Sequence, residues 1–108
     1  MQLVIVTDIF GAQPDVPRGF HAHKELQQIG FCIQGSCKIL MDNSKEKQEV
    51  CVSQPNKGLL IPPMVWHEMH DFSEDCILLV LASDYYDESD YIRNYDQFLK
   101  EADKTFIA

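Results

Sequence analysis

Between Leu26 and Ala82 the chain repeats one pattern, a short apolar run followed by a tight break. The runs are Leu26–Gln34, Cys37–Met41, Gln48–Ser53, Leu59–Ile61, Trp66–Phe72 and Cys76–Ala82. The breaks are Gly35-Ser36, the polar stretch Asn43–Lys47, the turn Pro55-Asn56-Lys57-Gly58, Pro62-Pro63 and Ser73–Asp75. Short strands at such close, even spacing predict an all-β sandwich or barrel. Cys76–Ala82 is nearly all apolar, as expected of a strand covered on both faces. Upstream, Leu3–Thr7 is a further β-branched run, and Gly11–Pro17 reads as a loop because glycine and two prolines break any ladder.

The C-terminal end has a different period. Tyr91, Ile92, Tyr95, Phe98 and Leu99 follow helical spacing and predict a helix over Asp90–Ala102. Asp87, Glu88 and Ser89 offer capping oxygens at its start, and Lys100 and Lys104 suit its C-terminal dipole. At 108 residues the chain has room for one domain. It divides into an N-terminal strand and loop (1–17), a β core (18–83) and a tail with the helix (84–108).

Composition narrows the partners. A formal net charge of −8 argues against nucleic acid or an anionic membrane as the ligand, since both need a basic surface. Arg18 and Arg93 are the only arginines. With Lys24 they are the first candidates for holding a phosphate. The four cysteines form no C-x-x-C pair, and Cys32, Cys51 and Cys76 sit in apolar runs where cysteine acts as a small buried hydrophobe. The opening residues lack the basic region and length of a leader, and no apolar run approaches the ~18 residues of a membrane span. Free thiols and a cytoplasmic location are therefore expected.

The chemistry concentrates in two short segments, which hold all four histidines. In Arg18-Gly19-Phe20-His21-Ala22-His23-Lys24 the two histidines are spaced i, i+2, so a strand would point both to one face. The second segment is Pro62-Pro63-Met64-Val65-Trp66-His67-Glu68-Met69-His70. Strand alternation puts Trp66, Glu68 and His70 on one face and His67 and Met69 on the other. Imidazoles with a pKa of ~6.5 carry protons at neutral pH. A pair on one pocket face can serve adjacent atoms of a substrate, which suits isomerisation of a hydroxy-ketone through an enediol.

These segments resemble the two cupin motifs. His21, His23, Gln28 and Gly35 stand in the first, and Pro62, Met64 and His67 in the second. Gln28 replaces the acidic metal ligand and Met64 the glycine. The resemblance implies an all-β, cupin-type (jelly-roll) barrel with a short C-terminal α-helix. Three histidines and a carbonyl oxygen remain a donor set for a divalent ion, but the missing carboxylate removes its charge compensation. No metal and no cofactor are expected.

More closely, the chain is similar to the sugar-nucleotide 3,4-ketoisomerases of the WxcM-like cupin family. The likeness rests on RGFHAHKELQQ (Arg18–Gln28), PPMVWHEMHDFS (Pro62–Ser73) and LASDYYDESDYIRNYDQF (Leu81–Phe98), and covers roughly residues 9–99. It implies a dTDP-4-oxo-6-deoxyglucose substrate whose keto group moves from C4 to C3. Small cupins bury open sheet edges against a partner, so a homodimer is expected. His21 and His23 would be the catalytic pair, with His23 favoured as the carbon base and His21 as its partner. Arg18, Gln28, Trp66, His67, Glu68 and His70 would contact substrate. Tyr85 and Tyr86 are either packed strand-end residues or substrate contacts, and Arg93 is expected in a surface ion pair. Family members usually begin earlier, with strands exchanged across the dimer, and tend to carry tyrosines where this chain has Thr7 and Asp8. Two other readings stay open: a metal-dependent cupin enzyme, and a binder of sugar nucleotides or other small ligands without activity.

Overall fold

The computed structural model describes residues 4–10 and 16–106. The expected loop Gly11–Pro17 therefore lies mostly outside the described residues. The strands are β1 (Val4–Phe10), β2 (Arg18–His23), β3 (Gln28–Gln34), β4 (Cys37–Asp42), β5 (Lys47–Val52), β6 (Leu59–Ile61), β7 (Trp66–His70), β8 (Ile77–Ala82) and β9 (Tyr91–Ile92); the helix α1 is Tyr95–Phe106. They form two antiparallel sheets, ordered β1-β8-β3-β6 and β5-β4-β7-β2-β9. Among the described residues no ladder joins one sheet to the other. The expected jelly-roll is therefore present as a two-layer sandwich rather than a barrel closed by hydrogen bonds.

The turns follow from their residues. Asn43 Oδ1 accepts the Lys45 and Glu46 amides at 2.9 and 2.8 Å, which closes the β4–β5 hairpin. Gly35 (φ 72°) makes the β3–β4 turn, where a Cβ would lie 2.3 Å from Ser73 Oγ and 2.8 Å from Cys76 Cα. Only glycine lets these two turns pack together.

One apolar layer fills the space between the sheets, with Cys32, Ile39, Ile61, Met69, Phe72, Leu78 and Val80 at its centre. Cys32, Cys37 and Cys76 are buried there as free thiols, with Cys32 Sγ 3.7 Å from each of the other two. Burial raises the Cys76 thiol to about 12, so it stays protonated. Cys51 departs from expectation. It is exposed, because its neighbours Val50 and Val52 hold the inward side of β5.

A second layer lies outside the other sheet. Ala22 of β2, Trp66 of β7 and Ile92 of β9 pack against Phe98 and Ala102 of α1. This layer explains a correction at the start of the helix. Residues Glu88–Asp90 form a 3-10 turn capped by Asp87, and Tyr91–Ile92 pair with His23 and Ala22 as a strand. The helix begins only at Tyr95, with Asn94 Oδ1 accepting the Gln97 amide at 2.9 Å. Ile92 buries its side chain in the same layer as Phe98. The apolar spacing therefore continues across a break in the backbone.

β8 is not covered on both faces. Leu78, Val80 and Ala82 are buried, whereas Ile77, Leu79 and Leu81 are only half-buried. No helix of the described residues is long and apolar enough to cross a membrane.

Candidate active site

The site is built on the inner face of the second sheet, where β2 and β7 pair antiparallel. Arg18 is opposite Met69, Gly19 opposite Glu68, and His21 opposite His67, with a bulge between Gly19 and His21. Gly19 (φ 96°) and Phe20 (φ 56°) take the left-handed conformations that the bulge needs. A Cβ on Gly19 would sit 3.2 Å from the His67 carbonyl oxygen. The bulge turns Phe20 outward against His70 and sends His21 inward.

His21, His23 and His67 meet as one cluster. The His21 ring lies 4.4 Å from His67 and 4.9 Å from His23, edge-on to both. His21 Nδ1 donates to the Gly19 carbonyl at 3.0 Å, and His67 Nδ1 donates to the Val65 carbonyl at 3.3 Å. A carbonyl can only accept, so both rings carry their proton on Nδ1 and keep Nε2 as a lone pair. Burial is the first cause lowering all three pKa values, to about 3 for His67 and about 4 for His23. The positive charge that a second imidazolium would bring works in the same direction. All three rings are thus neutral bases at pH 7.

A pocket of about 380 Å3 opens onto this cluster. That is within the usual range for a small-ligand site. His21, His67 and Gln28 line it together with Met69 and Val80, and Arg18, Gly19, Arg93, Tyr86 and Tyr91 form the rest of its wall. Both arginines of this acidic chain therefore face one pocket. Arg93 donates to Glu88 through Nε and Nη2 at 2.8 and 2.9 Å, and its guanidinium lies 4.3 Å from the Tyr91 ring centroid. Tyr86 donates to the same Glu88 carboxylate. Those two donors hold Glu88 down to about 2.

The predicted site residues divide into three groups. Arg18, His21, Gln28 and His67 are at the pocket. His23 stands behind His21, 2% exposed and off the pocket wall. Trp66, Glu68 and His70 are on the opposite face of β7. There Trp66 Nε1 and His70 Nε2 each donate to Glu68 at 2.9 Å, and Trp66 packs 5.3 Å from the Tyr95 ring under α1. Arg93 makes the expected ion pair, but the same side chain also lines the pocket. Tyr91 is a pocket residue that the helical reading hid, since its place on β9 exists only through pairing with β2.

The three histidines' nitrogens also lie within 4.8 Å of one another, close enough to share a divalent ion. Gln28, the fourth position of the motif, brings a neutral amide where such a site would want a carboxylate. Met64 takes φ 59°, the conformation that the motif's glycine supplies. The backbone turn before β7 is therefore kept without the glycine, with Met64 N–H donating to the His23 carbonyl at 2.7 Å.

Residues 5–103 match the family described as FdtA: WxcM-like, C-terminal. The chain belongs to this family. Over 92 residues it is 55% identical to the TDP-4-oxo-6-deoxy-alpha-D-glucose-3,4-oxoisomerase of Aneurinibacillus thermoaerophilus, an alignment covering 85% of this chain and 66% of that relative. Among solved structures it is similar to the sugar 3,4-ketoisomerase QdtA from Thermoanaerobacterium thermosaccharolyticum in complex with TDP. That match has a TM-score of 0.91 and 46% identity, covering 98% of this chain and 75% of the other. A histidine-to-asparagine variant of QdtA in complex with TDP-4-keto-6-deoxyglucose matches with a TM-score of 0.91 and 45% identity, covering 99% of this chain and 75% of that one.

Proposed function

We propose that the protein is a 3,4-ketoisomerase acting on TDP-4-oxo-6-deoxyglucose. The observation that carries this reading is His21. Its Nε2 lone pair is left free by the Gly19 contact, on the wall of a pocket that also holds both arginines. The family relatives named above supply the substrate.

The chemistry balances without a redox partner. His21 takes the proton from C3, and the electrons form a C3–C4 enediol as the C4 carbonyl oxygen gains a proton. The C3 hydroxyl then gives up its proton to become the carbonyl, and C4 receives one on carbon. His21 is the carbon base, because it faces the pocket and His23 does not. This reverses the order favoured by sequence alone. His23 acts as the second member of the pair from behind His21, and Tyr91, whose phenol burial keeps protonated, faces the same space. Arg18 and Arg93 take the diphosphate of the nucleotide. Gln28 hydrogen-bonds the sugar, and His67, fully buried, packs against the His21 ring at the floor of the pocket. Trp66, Glu68 and His70 serve the site by fixing β7 rather than by touching substrate.

The protein works as a homodimer in the cytoplasm. The outer face of the first sheet carries Ile29, Phe31, Ile33, Leu60 and Leu79, with Ile33 49% and Leu60 53% exposed. An apolar sheet face of that kind is stabilised by a second copy. Light scattering at tens of micromolar tests this, and a monomer there would count against it.

The deciding experiment is incubation with TDP-4-oxo-6-deoxyglucose followed by NMR. The expected result is the 3-oxo product. Tight binding without turnover would favour a binding protein, and loss of turnover on chelation would favour a metal enzyme.

A further inference from the structure

We propose that Asp90 is a positioning residue for the isomerisation, holding the buried His23 ring with its proton on Nδ1. This rests on the ketoisomerase reading but concerns a residue outside the pocket.

Asp90 ends the 3-10 turn that leads into β9. Its backbone and side chain are fastened to the segment just after His23. The Asp90 carbonyl accepts the Lys24 amide at 3.0 Å, Oδ1 accepts the Glu25 amide at 2.9 Å, and Oδ2 accepts the Leu26 amide at 3.2 Å. The carboxylate is thus fixed in place by two main-chain donors. The same Oδ2 lies 3.4 Å from His23 Nδ1. The contact is long and imperfectly aligned. Yet among the described residues neither His23 ring nitrogen has a hydrogen-bond partner. For a side chain only 2% exposed, that leaves Asp90 as the group within reach to orient it.

The direction of the effect follows from donor chemistry. An ionised carboxylate only accepts, so the nitrogen facing it must carry the hydrogen. His23 then keeps Nε2 as the nitrogen free to exchange a proton. Its ring lies edge-on to both His21 and Tyr91, at 4.9 and 4.3 Å. The arrangement has the logic of a histidine oriented by an acid that is itself held in place. Here it sets the tautomer of the second histidine, the one that does not face the pocket.

The variant is Asp90→Asn, which keeps shape but replaces one acceptor oxygen by an amide donor. Nitrogen-15 NMR of the ligand-free protein should show the Nδ1–H tautomer of His23 in the native chain. In the variant it should move toward Nε2–H. With TDP-4-oxo-6-deoxyglucose, kcat should fall on the order of 10- to 100-fold, the scale known for the outer partners of metal-bound histidines, whose tautomer is set in the same way. KM should stay within about twofold and deuterium exchange at C3, which belongs to His21, should persist. An Nε2–H tautomer in the native protein overturns the proposal, and this measurement needs no variant to fold. Unchanged kcat, or a rise in KM alone, overturns it as well. If the native protein does not turn over the sugar, the proposed function fails, while the tautomer still decides the role of Asp90.

Discussion

His21 and His67 face each other across the β2–β7 pair, ring centroids 4.4 Å apart, and each donates through Nδ1 to the carbonyl two residues earlier in the chain. The two rings are therefore oriented by backbone, not by side chains. The Gly19 carbonyl sits within a bulge whose left-handed residues are needed to aim it. Gly19→Ala should both destabilise the fold and misplace His21. At φ 96° with the His67 carbonyl oxygen 3.2 Å from the new Cβ, a loss of about 1–3 kcal/mol is expected. Urea denaturation checks the stability, and kcat measured on the folded fraction checks the aim. A variant as stable and active as the native chain would show that the bulge relaxes freely.

The lowered histidines carry a pH dependence of stability with a definite sign. His67 has its folded pKa pushed down to about 3, chiefly by burial, against about 6.5 when unfolded. Above pH 6.5 neither state binds the proton and the fold has its full stability. As pH falls below that value the unfolded chain takes up a proton that the folded chain refuses. Stability is then lost at up to ~1.4 kcal/mol per pH unit until the folded pKa is reached. His23 acts in the same direction down to about 4. Thermal melting from pH 7.5 to 4.5 should show the decline, and His67→Gln should make it shallower. An equal slope in the variant would mean that His67 is not held neutral. Because His21 is lowered too, the acidic limb of kcat/KM should lie below pH 6.5.

Arg93 should govern substrate binding more than chemistry. Its guanidinium is held at the pocket by a two-pronged contact with Glu88 and by the face of Tyr91. Arg93→Ala removes one of the two cations of the pocket, and KM should rise about tenfold or more with kcat little changed. Glu88→Gln keeps the arginine but loosens its hold. A smaller rise of about two- to fivefold is expected, in line with exposed ion pairs. Steady-state kinetics on both variants test this. A fall in kcat at constant KM would place Arg93 in the chemical step instead.

Much of this site is written locally in the chain, and the rest is not. The i, i+2 spacing of His21 and His23 marks a shared strand face, and alternation already separates His67 and Met69 from Trp66, Glu68 and His70. What alternation leaves open is which of those two faces looks into the pocket. That choice depends on α1, which covers Trp66 through Phe98 and Ala102. The order within the histidine pair also escapes the sequence, because the bulge at Gly19 and the depth of His23 exist only once β2 lies between β7 and β9. Tyr91 was hidden for a related reason. Its apolar neighbours fit a helical period, and only pairing with His23 makes it a strand residue beside the cluster.

The roles of the two histidines can be separated by following deuterium. His21 lines the pocket with a free Nε2, whereas His23 is buried behind it. In His21→Asn the base at C3 is gone, so both solvent exchange at C3 and product formation should fall on the order of 10²–10⁴-fold, the usual worth of a positioned general base. Substrate binding should persist, because both arginines remain. In His23→Asn the C3 proton still has its acceptor. Exchange at C3 should therefore continue while product formation drops, since the proton leaves carbon without being delivered onward. Mass spectrometry of recovered substrate measures the exchange, and NMR of the product measures turnover. The opposite pattern, with exchange lost in His23→Asn and kept in His21→Asn, would restore His23 as the carbon base. It would also require the His23 ring to reach the pocket from a depth at which it is now 2% exposed.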